Sequence, residues 1–166
     1  VILGCGYPEG ATGRNIARLS SVRAGLPLST AATTINRFCS SGMQAIAVAA
    51  QRVIVDKVPV AVAGGLESVS LVQPTLNSNH SEEEWLIKHY PSLWMSMIDT
   101  ADTVAMRYQV TREKQDEYAM VSQQRTAAAQ VAGHFDDEIV PLPSIKVVTD
   151  RETKETHEEK ILLEKD

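Results

Sequence analysis

The chain has 166 residues, of which 43% are hydrophobic, which is enough for the core of about one globular domain. Its formal net charge of −5 argues against a basic surface built for nucleic acid. No apolar run approaches the roughly 20 residues that a membrane-spanning helix needs. The composition therefore favours a globular protein that binds no nucleic acid and has no membrane span.

Two cysteines, Cys5 and Cys39, suit a reducing compartment and so predict a cytoplasmic protein. Neither belongs to a CxxC pair or a Cys/His cluster, so we expect no metal site. The chain begins VILGCG without Met and ends in EEKILLEKD, as expected for a piece of a longer protein. A targeting signal before Val1 would not be visible in this sequence.

Strand-like and helix-like segments alternate over the first 65 residues. Apolar or β-branched runs predict strands at 1–5, 30–35 and 58–65, the last of them a continuous buried strand. Large apolar residues at helical spacing, Ile16, Leu19, Val22 and Leu26, predict a helix over 16–26 with Gly25 as its cap. Helical periodicity predicts another helix over about 40–55. This order is typical of an α/β fold with parallel strand pairing.

The second part of the chain has a different character. Residues 73–91 are polar and predict a surface excursion. A long helix follows over 112–132, capped by Thr111 and closed by Gly133. The tail from residue 136 mixes a short apolar run with alternating charges, as at the edge of a second, smaller unit. We place a domain boundary near residue 70, which predicts domains at 1–70 and 71–166.

The helix predicted over 40–55 is apolar on nearly all sides. Met43, Ile46 and Val53 lie on one stripe, while Ala45 and Val48 lie on the opposite side. A helix of this kind is buried all round, which favours an architecture in which it lies between two sheets. The alternative is an amphipathic helix that is rich in Ala for its helix propensity.

Cys39 lies at the junction between a predicted strand and the start of that helix. Helix N-termini favour thiolate, but they supply only ~0.3–1 kcal/mol, whereas half-ionising a free thiol at neutral pH needs roughly 2 kcal/mol. A nucleophilic cysteine here therefore needs a basic partner. The four histidines lie in polar or charged segments and are poor candidates for that partner: His80, His89, His134 and His157.

Residue pattern alone leaves two interpretations of Cys39, a nucleophile or a small buried apolar residue. The nucleophile elbow of α/β-hydrolases needs a small residue two positions before the nucleophile, and Arg37 stands there. Gly64 and Gly65 follow a predicted strand without a phosphate-binding motif, so tight packing is the expected reason for them. Cys5 has no partner in the sequence and is interpreted as structural.

Two motifs carry a resemblance to a known family. NRFCSSGMQAI at 36–46 closely resembles the active-site cysteine motif of thiolases, and GGLESVS at 64–70 resembles the Gly-Gly-x-Glu-Ser-Met-Ser segment of that family. The stretches PEGATGRNIARLSSVRAGLP and SQQRTAAAQVAGHFDDEIVPL extend the resemblance over nearly the whole chain.

The resemblance implies a five-layered αβαβα fold, with residues 1–70 in its N-terminal domain and 71–166 in its CoA-binding loop domain. Cys39 would accept the acyl group of acyl-CoA, either for Claisen condensation or for thiolysis of a 3-ketoacyl-CoA, with its own N–H in an oxyanion hole. Met97 would line the channel for the CoA pantetheine. The family further implies acyl-CoA and CoA as substrates, no tightly bound cofactor, and a homodimer or homotetramer.

Departures from the family pattern qualify these expectations. Ile98 replaces a flexible Gly, and Ser96 stands where short-chain members often carry His, so we expect an altered substrate pocket. The sequence contains no counterpart of the family's Asn-Glu-Ala-Phe, Gly-His-Pro and Cys-x-Gly segments, which carry the catalytic histidines and a second cysteine. We therefore expect residues 1–166 alone not to complete turnover. A ketosynthase-like enzyme and a non-catalytic assembly or lipid-carrier module remain the alternatives.

Overall fold

A computed structural model describes residues 1–165 of the chain. The chain divides into two compact units, the first over Val1–Tyr90 and the second beginning at Pro91. This division comes from contacts within the chain and does not test the domain boundary near residue 70, which stays a prediction.

The first unit contains a parallel sheet of three short strands, β1 (Ile2–Gly4), β2 (Thr33–Ile35) and β3 (Ala63–Gly65), in the order β2-β1-β3. Ile2 pairs with Thr33 of β2 on one side and with Ala63 of β3 on the other. The alternation of strands and helices with parallel pairing agrees with the prediction for the first 65 residues. The elements of this unit are β1 (Ile2–Gly4), α1 (Ile16–Arg23), β2 (Thr33–Ile35), α2 (Ser41–Ile54), β3 (Ala63–Gly65), α3 (Val69–Val72) and α4 (Glu84–His89).

Helix α1 begins where its sequence indicates and ends at Arg23, two residues before the predicted cap Gly25, but it buries a different face from the one predicted. Asn15 accepts a hydrogen bond from the Arg18 N–H, and Gly25 takes a left-handed φ of +79° after the last turn. The predicted stripe of large apolar residues is largely exposed, with Leu19 at 53%. The buried residues are Ala17 and Ser21, because small side chains let the helix approach the sheet closely.

Helix α2 packs on the sheet through small residues as well. Ser41, Ala45 and Ala49 are at most 6% exposed, whereas Met43 and Ile46 on other faces are 67% and 58% exposed. We expected α2 to be buried on all sides, but in this chain only one side is buried. The reason is that α2 contacts strands of a single sheet, β1, β2 and β3.

The prediction of a continuous buried strand at 58–65 is wrong for most of its length. Only Ala63–Gly65 is a strand, and Val60 and Val62 are 76% and 55% exposed. The strand is short because its partner β1 pairs over Ile2–Gly4 alone, although the Ile2 N–H still reaches the Val62 carbonyl at 2.8 Å.

The second unit has two helices followed by an antiparallel hairpin: α5 (Met97–Tyr108), α6 (Arg112–Val131), β4 (Leu142–Thr149) and β5 (Thr156–Leu163). The long helix begins and ends as predicted, with Thr111 accepting the Lys114 N–H at 3.4 Å and Gly133 at a φ of +71°. Helix α5 and the hairpin were not individually predicted. Within residues 1–165, no helix is long and apolar enough to cross a membrane.

Candidate active site

The loops that follow the three parallel strands meet at one edge of the sheet. They enclose a pocket of about 490 Å³ next to the first turn of α2. In open sheets of parallel strands, ligands bind beyond the carboxyl ends of the strands, which is where this pocket lies. Its lining residues are Gly4, Gly6, Tyr7, Phe38, Cys39, Ser41, Gly42, Gly65, Leu66, Glu67 and Val69.

Cys39 occupies the corner that its sequence position predicts. It lies in a single 3-10 turn, Phe38–Ser40, between β2 and the first residue of α2, and its thiol is exposed. The first N–H groups of a helix lack intrahelical acceptors and carry a partial positive charge. The corner therefore presents an accessible thiol beside backbone donors that can stabilise an anion.

The turn that presents Cys39 has a left-handed backbone at Phe38, with a φ of +48°. The Phe38 N–H donates to Asn36 Oδ1 at 2.8 Å. The buried Ser41 hydroxyl donates to the Phe38 carbonyl at 2.5 Å and accepts the Arg37 N–H at 2.9 Å. The sequence did not reveal this elbow, because a bulky aromatic residue rarely takes a positive φ.

Glycines allow the first turn of α2 to contact the strands directly. A Cβ atom on Gly4 would overlap the Ser41 carbonyl group and lie 2.6 Å from the Gly42 nitrogen. A Cβ on Gly65 would lie 3.3 Å from the Gly4 oxygen, whereas one on Gly64 would meet only a Leu3 methyl at 3.6 Å. Tight packing, which was predicted for the glycine pair, is therefore observed at Gly65 and not at Gly64.

Glu67 joins the loop after β3 to the loop after β1. Its Oε2 accepts the N–H groups of Gly6 and Tyr7 at 2.7 and 3.0 Å, and its Oε1 accepts the Ser68 N–H at 3.2 Å. With its oxygens occupied by backbone donors, this carboxylate holds the pocket wall together. The GGLESVS motif contains Glu67, but the sequence alone predicted no role for it.

Cys5 lies beneath this carboxylate and is 1% exposed. Its Sγ is 3.8 Å from Glu67 Oε1, to which the thiol can donate. Burial is the main cause that raises the pKa of the Cys5 thiol, and the negative charge of Glu67 adds to it. Cys5 therefore stays protonated at neutral pH, which agrees with its interpretation as structural.

No histidine lines the pocket within the described residues. His89 stacks on Trp85 with a 4.2 Å centroid distance, and its Nδ1 lies 2.7 Å from the Trp85 carbonyl. His80 is exposed on the same unit, while His134 and His157 belong to the second unit. Met97, the other predicted site residue, begins α5 in the second unit and is 79% exposed.

Comparison with known proteins decides the family. The sequence profile described as "Thiolase, N-terminal domain" matches residues 1–165. The chain belongs to the thiolase family. The resemblance seen in the two motifs is thereby confirmed.

Relatives of known name agree with this assignment. The chain is 44% identical over 142 residues to a 3-ketoacyl-CoA thiolase of Bacillus subtilis, with 86% of this chain and 36% of that protein covered. It is 40% identical over 153 residues to an acetyl-CoA acetyltransferase of Allochromatium vinosum, with 86% and 39% covered. The chain thus spans less than two-fifths of the length of these two thiolase relatives.

A solved structure supports the fold. The crystal structure of the Bacillus anthracis acetyl-CoA acetyltransferase matches with a TM-score of 0.71 and 32% identity, over 99% of this chain and 42% of that one. The predicted fold class, a thiolase-like α/β fold with a parallel sheet, is confirmed.

Proposed function

We propose that this thiolase-family chain supplies the nucleophile of an acyl-CoA C-acyltransferase. The Cys39 thiolate attacks the carbonyl carbon of acyl-CoA, the bond between that carbon and the CoA sulfur breaks, and CoA leaves as its thiol after taking up a proton. The acyl group is then a thioester on Cys39. A carbanion at Cα of a second acyl-CoA attacks that thioester to give a 3-ketoacyl-CoA and free Cys39, and thiolysis is the reverse.

The observation that carries this proposal is the exposed thiol of Cys39 in a pocket at the N-terminus of a 14-residue helix. The tetrahedral intermediate of acyl transfer places negative charge on the former carbonyl oxygen. The Cys39 N–H at the helix start is our proposed contributor to the oxyanion hole. The three strand-end loops supply the walls that would keep water from the thioester.

Deprotonation of Cys39 and of the second substrate needs a base, and no histidine lines the pocket within the described residues. We propose that the histidines and the second cysteine implied by the family lie outside residues 1–166. The names of the relatives, which refer to 3-ketoacyl-CoA and acetyl-CoA, support CoA thioesters as the substrates.

Met97 is our proposed contact to the pantetheine of CoA, because an exposed Met at the first position of α5 offers a flexible apolar surface. Ser96, which stands where short-chain members often carry His, caps α5 instead. Its hydroxyl accepts the Asp99 N–H at 3.1 Å and donates to Asp99 Oδ2 at 2.7 Å. We further propose that the protein needs no tightly bound cofactor, acts in the cytoplasm and assembles as a homodimer or homotetramer.

Mass spectrometry of the complete gene product after incubation with acetyl-CoA tests the proposal. We expect a gain of one acetyl group on the peptide that contains Cys39, and none in Cys39→Ser. Acetylation from an acyl-carrier-protein thioester but not from acetyl-CoA would instead favour a ketosynthase-like enzyme. A Cys39 that stays unmodified with both donors would favour the non-catalytic module.

A further inference from the structure

The bulky Phe38 holds a backbone conformation that L residues avoid, directly before the proposed nucleophile. Its φ of +48° lies in the left-handed region, where a side chain with a Cβ crowds the backbone. Such a conformation persists only where neighbouring groups hold it. The Phe38 ring is 68% exposed, so packing of the ring supplies little of that hold.

Hydrogen bonds from two side chains hold the turn instead. Asn36 accepts the Phe38 N–H from before the turn. Ser41 follows the turn in the sequence, and its hydroxyl donates to the Phe38 carbonyl and accepts the Arg37 N–H. Ser41 is only 4% exposed, and its backbone rests against Gly4 of β1, so its hydroxyl is a fixed point relative to the sheet.

We propose that Ser41 is a positioning residue that sets the direction in which Cys39 faces the acyl donor. The proposal rests on the proposed role of Cys39 as nucleophile. Ser41 does not act on the substrate; its buried hydroxyl keeps the Phe38 turn left-handed, and that turn carries Cys39 into the pocket. The adjacent Ser40 supplies a matched comparison, because its side chain makes no cap hydrogen bond.

The test measures the rate of Cys39 acetylation by acetyl-CoA in the complete gene product, in single turnovers followed by mass spectrometry. We expect Ser41→Ala to slow acetylation about 10- to 100-fold, since misplacing a reacting group by about 1 Å can cost that much. The acetyl-CoA concentration for half-maximal rate should stay the same. Ser40→Ala should change the rate less than about twofold, because it removes no cap hydrogen bond from the turn.

Phe38→Gly distinguishes positioning from a general loss of structure. Glycine takes a left-handed φ without crowding, so the turn needs no brace in this variant. Because of this freedom, we expect Ser41→Ala to lower the acetylation rate less than about threefold when it is introduced into Phe38→Gly. An equal loss in both backgrounds, or a Ser41→Ala rate matching that of Ser40→Ala, would overturn the proposal.

Two further measurements keep the test decisive. If Ser41→Ala loses helical circular dichroism, Asn36→Ala takes its place in the test, because Asn36 is exposed and accepts the other hydrogen bond that holds the turn. The decrease in acetylation rate caused by Asn36→Ala should likewise be smaller in the Phe38→Gly background. A loss of the same size in both backgrounds counts against the proposal. If the wild-type protein is not acetylated, the proposed function fails, but iodoacetamide alkylation of Cys39 across the same variants still tests the turn.

Discussion

Gly4 shows how one missing side chain places the candidate nucleophile. The first turn of α2 lies so close to β1 that a Cβ on Gly4 would overlap backbone atoms of Ser41 and Gly42. Both contacts are made by backbone atoms, which cannot move aside as the end of a flexible side chain can. The position of Cys39 above the strand ends therefore depends on a glycine 35 positions earlier in the sequence.

Gly4→Ala should lower the free energy of unfolding by about 1–3 kcal/mol or more, the usual cost of overpacking. Urea unfolding followed by circular dichroism measures it. Gly64→Ala is the matched control on the neighbouring strand, because its Cβ would meet one Leu3 methyl at an ordinary 3.6 Å. Equal destabilisation by the two changes would contradict this account of the contact.

Cys5 should make stability depend on pH above neutrality. Burial raises its pKa in the folded protein above the unfolded value of about 8.5, so both states hold the proton below that value. Between the two pKa values only the unfolded state releases it, and stability falls as pH rises by at most about 1.4 kcal/mol per unit. Above the folded pKa this loss levels off.

Cys5→Ser keeps a hydroxyl donor for Glu67 but has no proton to lose in this range. Unfolding in urea with a reductant, from pH 7 upward, measures the free energy of unfolding of both proteins. The free energy of unfolding of the wild type should fall relative to that of Cys5→Ser as the pH rises. Parallel curves for the two proteins would show that Cys5 titrates alike in both states.

At the scale of elements, the strand-end loops are held together by one carboxylate. Glu67 accepts N–H groups from Gly6 and Tyr7, so the loops after β1 and β3 move together as one wall of the pocket. The other wall is the Phe38 turn after β2, whose carbonyl carbon would lie 3.6 Å from a Cβ on Gly6. Gly6 thus lies between the two walls.

Glu67→Gln should loosen the wall, because the Gln amide has one acceptor oxygen where the carboxylate has two. At least one backbone N–H then loses its partner, which we expect to lower the unfolding free energy by about 1–2 kcal/mol. Glu82→Gln, at an exposed position, makes the same change in charge and should stay within about 0.5 kcal/mol of the wild type. Urea unfolding of both variants is the measurement, and identical curves would refute a structural role for the carboxylate.

At the scale of the whole molecule, the apolar surface of α2 is larger than the sheet covers. Met43 and Ile46 are mostly exposed in this chain, although the helix has no polar stripe along their side. Large exposed apolar patches mark surfaces that bind other parts of a protein. The five-layered arrangement implied by the family, with α2 in a middle layer, would cover these residues and stays a prediction.

The oxidation rate of Met43 measures whether this face of α2 is buried in the complete protein. In the complete gene product, we expect hydrogen peroxide to oxidise Met43 at least about 10-fold more slowly than in the urea-unfolded protein, as for a buried thioether. Peptide mass spectrometry follows the sulfoxide. Oxidation at the unfolded rate would show that this face of α2 remains in water.

Local sequence determined the two longest helices of the first unit. The cap at Asn15, Gly25 with its left-handed φ and the apolar run over 41–54 depend on neighbours within a few residues, so α1 and α2 were predictable. The same holds for α6 between Thr111 and Gly133. The strand–helix corner that holds Cys39, and the family itself, were readable from short motifs.

Only the tertiary structure decided which faces are buried and how the site is built. Large apolar residues such as Leu19 predicted the buried side of α1, yet Ala17 and Ser21 took it, because close approach to the sheet selects small side chains. The hydrogen bonds of Ser41 to the Phe38 turn and of Glu67 to the loop after β1 were likewise decided only by the tertiary structure. Ser41 bonds to the left-handed turn at Phe38, and Glu67 bonds to the loop after β1, about 60 residues earlier in the chain. Local sequence pattern indicates neither such a backbone dihedral nor such a long-range contact.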